Sequence, residues 1–108
     1  MDNSNVSYVA LINEINEAKE AHQLGEALER LKSNADFITV FDSYLFKELV
    51  YLLVQAKGRV LSDEDHKRID TKLLSLGVLQ SLLDDITLQA TNAYYTIQDC
   101  EEQLRQQD

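Results

Sequence analysis

Apolar residues recur through the first third of the chain in steps of three and four: Tyr8, Leu11, Ile15, Ala18, Ala21, Leu24, Leu28 and Leu31. That spacing gathers them into one stripe along an α-helix, with Ile12 beside it. Glu14, Glu17, Glu20, Glu26, Glu29 and Arg30 take the remaining faces. The pattern predicts a first helix over about residues 5–33, capped by Ser4 or Ser7. Glu26 precedes Arg30 by one turn, the favourable order for a surface ion pair. Asn34 tolerates the left-handed backbone that closes a helix, and either Asn34 or Asp36 can cap the next one.

The second helix is read over about 36–57, with a stripe of Phe37, Val40, Phe41, Tyr44, Leu45, Leu49, Leu52, Leu53 and Ala56. Phe46, Val50, Tyr51 and Val54 make its second half apolar on nearly every face. A helix apolar all round is expected to be buried all round, at the centre of the fold or of an oligomer. Lys57-Gly58-Arg59 ends it, with Gly58 expected in the left-handed conformation and the cations at the negative end of the helix dipole. Ser62 then caps a third helix whose first turn carries Asp63, Glu64 and Asp65, with Glu64 set to pair with Arg68 and Asp63 with Lys67.

This third segment, about 63–106, meets no strong breaker. Its stripe is Ile69, Leu73, Leu76, Leu79, Leu83, Ile86, Ala90, Ala93, Ile97, Cys100 and Leu104. The steps settle into a heptad rhythm, disturbed only near Gly77, where two three-residue steps in succession amount to a stammer. Unbroken, the helix would run roughly 65 Å, long beside the radius of gyration of about 13 Å of a compact domain this size. Either Gly77 breaks it or the excess packs on another chain. The oligomer is preferred, with Leu83, Ile86, Ala90, Ala93, Tyr94, Ile97 and Leu104 as its interface.

Composition narrows the fold. In 108 residues there is no proline and glycine occurs three times, too few turn residues for an all-β fold. The expectation is one all-α domain spanning 1–108: a helical bundle of two helices plus a long C-terminal helix.

Charge sets the partners. The net charge is −9, the wrong sign for gripping phosphates, so no direct nucleic-acid contact is expected. Residues 1–29 and 73–108 each carry −5, while 30–72 carry +1. Glu14, Glu17, Glu20, Asp84, Asp85, Glu101 and Glu102 are the acidic-surface candidates. A single cysteine, the lack of a basic-then-apolar leader and a longest apolar run of only Leu49 to Val54 point to a cytoplasmic protein off the membrane.

Chemistry is sparse. His66 lies one helical turn from Asp63 and Asp70, but a zinc site needs three or four convergent ligands, so no metal is expected. The adjacent carboxylates Asp84-Asp85 and Glu101-Glu102 diverge on a helix and cannot share a substrate. Cys100 falls on the apolar stripe, as a buried small hydrophobe and not a nucleophile. No phosphate loop or catalytic set is visible, so no cofactor and no enzymatic activity are expected. Tyr94-Tyr95 is the aromatic pair of interest, one ring expected in the seam and the other outside.

The stretch Ala27-Leu28-Glu29-Arg30-Leu31-Lys32-Ser33-Asn34-Ala35-Asp36-Phe37, followed by Tyr44-Leu45-Phe46-Lys47-Glu48, resembles small acidic all-helical proteins of tailed bacteriophages. The likeness centres on the Asn34-Ala35-Asp36-Phe37 turn and covers about two-thirds of the chain. It implies a role in virion structure or morphogenesis, or interference with a host protein, in the host cytoplasm or the virion. It supplies no catalytic residues. The expected function is therefore non-enzymatic assembly through protein contacts, with itself and another protein. The alternative is a small acidic inhibitor that mimics nucleic acid on a host protein.

Overall fold

The computed structural model of the chain describes residues 3–59 and 61–107, with side chains from Tyr8 onward. All its regular elements are helical: α1 (Asn3–Lys32), α2 (Ala35–Phe37), a π-helical segment (Ile38–Glu48), α3 (Leu49–Lys57) and α4 (Asp63–Gln106). The contacts gather into two compact units: Met1–Glu29 with Asp85–Asp108, and Arg30–Asp84.

The helix ends follow from local hydrogen bonding. Asn34 is the cap of the middle helical stretch, its Oδ1 accepting from the backbone N–H of Asp36 at 2.9 Å and of Phe37 at 3.2 Å. Its backbone is extended, with φ −73° and ψ 131°, not left-handed. Ser62 Oγ accepts from the Asp65 N–H at 3.2 Å, capping α4 as expected. Gly58 departs from expectation: its φ is −75°. The chain closes α3 with tightened bonds from Gly58 N–H to Gln55 O and from Arg59 N–H to Ala56 O, each 3.1 Å. Those three-residue bonds satisfy the last carbonyls without a left-handed residue. The Ser4 and Ser7 caps lie outside the described side chains.

In the first unit α1 runs antiparallel to the distal part of α4. Leu11 and Ile15 pack with Cys100 and Leu104, the His22 ring lies 6.1 Å from that of Tyr94, and Gly25 faces Ala90. The α1 seam is Leu11, Ile15, Ala18, Gly25 and Leu28, all buried. Leu24, expected in it, is 53% exposed. Strict four-three alternation from Leu11 lands on residues 22 and 25, so the buried place belongs to a glycine with no hydrophobic signal.

The α4 stripe is as read: each position from Ile69 to Leu104 is buried or half-buried. For its distal part the cover comes from α1, and so the expectation of a seam with no partner in its own chain needs correcting. Ile86, Ala90, Ala93, Ile97 and Leu104 are buried or half-buried within the first unit, and Leu83 is half-buried in the second. Gly77 is helical, within one unbroken α4, and a Cβ there would meet nothing within 4 Å. It provides neither a break nor a close approach.

In the second unit the stretch Ala35–Lys57 packs on the proximal part of α4, with Phe37, Leu53 and Ile69 buried and Lys57 Nζ 2.6 Å from Asp70 Oδ1. Phe37, Phe41, Leu45, Leu49 and Leu53 recur every four residues. In an α-helix each such step drifts about 40° around the axis, which would carry Leu53 away from Phe37's side. Bonding to the fifth residue widens the turn to about 4.4 residues and drifts the other way; Leu49 N–H accordingly bonds to Tyr44 O. The π-helical segment keeps this row facing inward, with Phe37 and Phe41 stacked at 4.5 Å. The neighbouring row of Asp42, Phe46 and Val50 is half-buried. The opposite flank, expected to be buried, is exposed: Val40 by 49%, Tyr44 by 44% and Leu52 by 47%.

Candidate functional site

Gly25 and Ala90 are small residues that face each other closely between α1 and α4 in the first unit. With no large side chain to fill the space above them, the flanking residues form the walls of a groove of about 380 Å³. His22, Gly25, Glu26 and Glu29 on α1 follow the spacing i, i+3, i+4, i+7. Thr87, Ala90, Thr91 and Tyr94 on α4 repeat it, and Tyr95 closes the rim. The spacing puts each set on one helical face.

The walls are braced. His22 Nδ1 lies 3.1 Å from Glu26 Oε1, so Glu26 reaches back along α1 to His22, where the sequence suggested Arg30. Tyr94 and Tyr95 meet edge to face, ring centres 5.5 Å apart. Gln98 Nε2 donates to Tyr94 Oη at 2.8 Å. Neither tyrosine enters the seam, contrary to expectation: they are 48% and 59% exposed. A groove offering carboxylates and ring faces, with no lysine or arginine in its lining, is suited to a cationic group.

Charge follows the division into units. The first holds eleven acids against Lys19 and Arg105, and the second eight acids against eight bases. The whole net charge of −9 therefore belongs to the unit with the groove. Glu14, Glu17, Glu20, Asp85, Glu101 and Glu102 are exposed on it, and Asp84 is exposed at the end of the other. Arg105 bonds to Glu102 and holds that carboxyl below the usual range. The sequence showed two acidic arms; it did not show that the fold joins them.

The second unit presents apolar side chains instead. Val40, Tyr44 and Leu52 form one exposed row and Tyr51 stands beside it at 61%. On α4, Leu74, Val78 and Leu82 recur every four residues and are 69%, 49% and 55% exposed. Asp70, one helical turn from His66, is engaged by Lys57. Among the described residues no three His, Cys, Asp or Glu side chains converge to hold a metal ion.

No known protein family, characterised protein or solved structure matches this chain. Among the described residues no helix is long and apolar enough to cross a membrane.

Cys100, 3% exposed, sits in the core of the first unit. Burial pushes its thiol up from the ordinary value, and a hydrogen bond with Glu14 acts in the same direction. The thiolate is the reactive form, so iodoacetamide at mildly alkaline pH should modify the native protein at least about tenfold more slowly than the unfolded chain. Equal rates, followed by mass spectrometry, would remove Cys100 from the core.

Proposed function

We propose that the chain is a non-enzymatic assembly protein that works by binding protein surfaces, first its own copies, as a virion or morphogenesis component of a bacteriophage. The observation that carries this reading is how much apolar surface the helices leave outside their shared seams. Among the described residues no large side chain is less than 2% exposed, while Tyr51, Val54, Leu74 and Leu82 are each more than half exposed. A unit of about 55 residues builds only a marginal core alone, and exposed apolar rows of this kind mark contact surfaces. The rows on the second unit are the preferred interface, in place of the seam from Leu83 to Leu104. Of the interface residues suggested by the sequence, Tyr94 alone is largely exposed.

Light scattering at micromolar concentration should give a multiple of the 12.4 kDa chain mass. Tyr51→Asp with Leu74→Asp should return that mass to a single chain without loss of helical signal. A monomer at the outset sinks the reading.

The concentration of net charge on one unit favours a second reading, an acidic inhibitor that occupies the basic surface of a nucleic-acid-binding protein. Salt separates the two. Apolar self-association persists as ionic strength rises, whereas capture of a basic partner weakens steeply.

A further inference from the structure

We propose that the groove between α1 and α4 is a receptor for an arginine side chain, presented by a basic segment of another protein. This rests on the reading of the chain as a protein-binding module, but not on its self-association. Three observations converge on one ligand chemistry. Tyr94 and Tyr95 are held edge to face at the rim, with Tyr94 tied by Gln98, and their exposure leaves ring surface open to a planar cation. Glu26 and Glu29 stand on the facing wall, placing carboxylates opposite the rings. The unit around them carries the full net charge of −9, which draws cations in and repels nucleic acid.

Arginine suits this geometry better than lysine. Its guanidinium stacks flat on an aromatic ring and donates in a fixed fork to a carboxylate at the same time. A volume of about 380 Å³ leaves room for one such side chain with ordered water, and not for a folded element. The partner's remaining basic residues would lie along the exposed acids Glu17 and Glu20.

A short fluorescein-labelled peptide of alternating Arg and Ala, titrated with the full chain at low ionic strength and followed by anisotropy, tests this. Binding should saturate at one peptide per groove. It should weaken when lysine replaces arginine and vanish when uncharged citrulline does. Tyr95→Leu should weaken it roughly two- to fivefold, the scale of a partly exposed cation–π contact, and Glu26→Gln by a similar factor. Glu101→Gln removes the same charge from the same unit outside the groove and should have less than half that effect. Equal losses from Glu26→Gln and Glu101→Gln, or none from Tyr95→Leu, would show diffuse attraction and overturn the proposal. A chain that is monomeric by light scattering yet passes these tests would sink self-assembly and leave the arginine receptor standing.

Discussion

Gly25→Ala lowers the stability of the protein, although alanine favours a helix over glycine by about 1 kcal/mol. A Cβ built on Gly25 falls 2.1 Å from Ala90 Cβ and 3.6 Å from its Cα. Ala90 has no rotamer to turn aside, so α1 and α4 must part by an ångström or more along a seam that includes Leu28 and Ala93. Overpacking of this kind costs typically 1–3 kcal/mol. Against the gain in propensity the net loss is about 0–2 kcal/mol, up to several degrees in melting temperature, with the upper half expected because Ala90 cannot turn aside, and Gly25→Leu loses far more. Ala90→Gly removes the opposing methyl group, so the double variant Gly25→Ala, Ala90→Gly should sit above the sum of the singles by more than about 0.5 kcal/mol. Urea denaturation of the four proteins measures it. A Gly25→Ala variant more stable than the parent would mean that the helices do not meet there, and the groove above them would go too.

Leu53→Asp abolishes the folded second unit. Leu53 is 8% exposed at the end of the inward row that begins with Phe37, and the cation one turn beyond it, Lys57, is already engaged by Asp70. An unpaired buried charge is among the few single changes that cost more than about 4 kcal/mol, which is most of the stability of a small domain. Tyr51→Asp is only two positions away but 61% exposed, and the variant should keep the helical circular dichroism that Leu53→Asp loses. Leu49, the other inward position in the apolar half of this helix, is only half-buried, so Leu49→Asp should fall between them. If Tyr51→Asp and Leu53→Asp melt alike, the inward row is misplaced.

What was legible in the sequence is what periodicity encodes. The bounds of α4, its inward face from Ile69 to Leu104 and the caps at Asn34 and Ser62 depend on residue type and spacing alone, and all are found in the fold. Three things were not legible, each for a physical reason. Gly25 holds a buried place that no hydrophobicity count awards to glycine, and Leu24 drew the stripe one residue off. The spacing of Phe37, Phe41, Leu45, Leu49 and Leu53 at four throughout is plain in the sequence but passes for an α stripe. Its mismatch with 3.6 is the signal for a wider turn. The groove needs two helices at once. Residues 25 and 90 are far apart in the chain, and neither the Tyr94-Tyr95 pair nor the acids near Glu26 says what it faces. The distal part of α4 is covered by α1 within the first unit, and so the length of α4 alone does not require a second copy.

The wide helical turns over Ile38–Glu48 also bear on how this chain could change over evolutionary time. Elsewhere in a helix, gaining or losing one residue rotates everything beyond it by about 100° and exposes the buried face. Here a loss has somewhere to go. Removing one residue between Phe41 and Leu45 would bring the inward row closer to the α period, so the segment could shed its wide turns and still present Leu53 to the same side. Insertions and deletions that surface loops normally absorb would in this chain be taken up as helical pitch, within the packed helix itself. Homologues one residue shorter in this stretch should keep the fold and lack the π-helix.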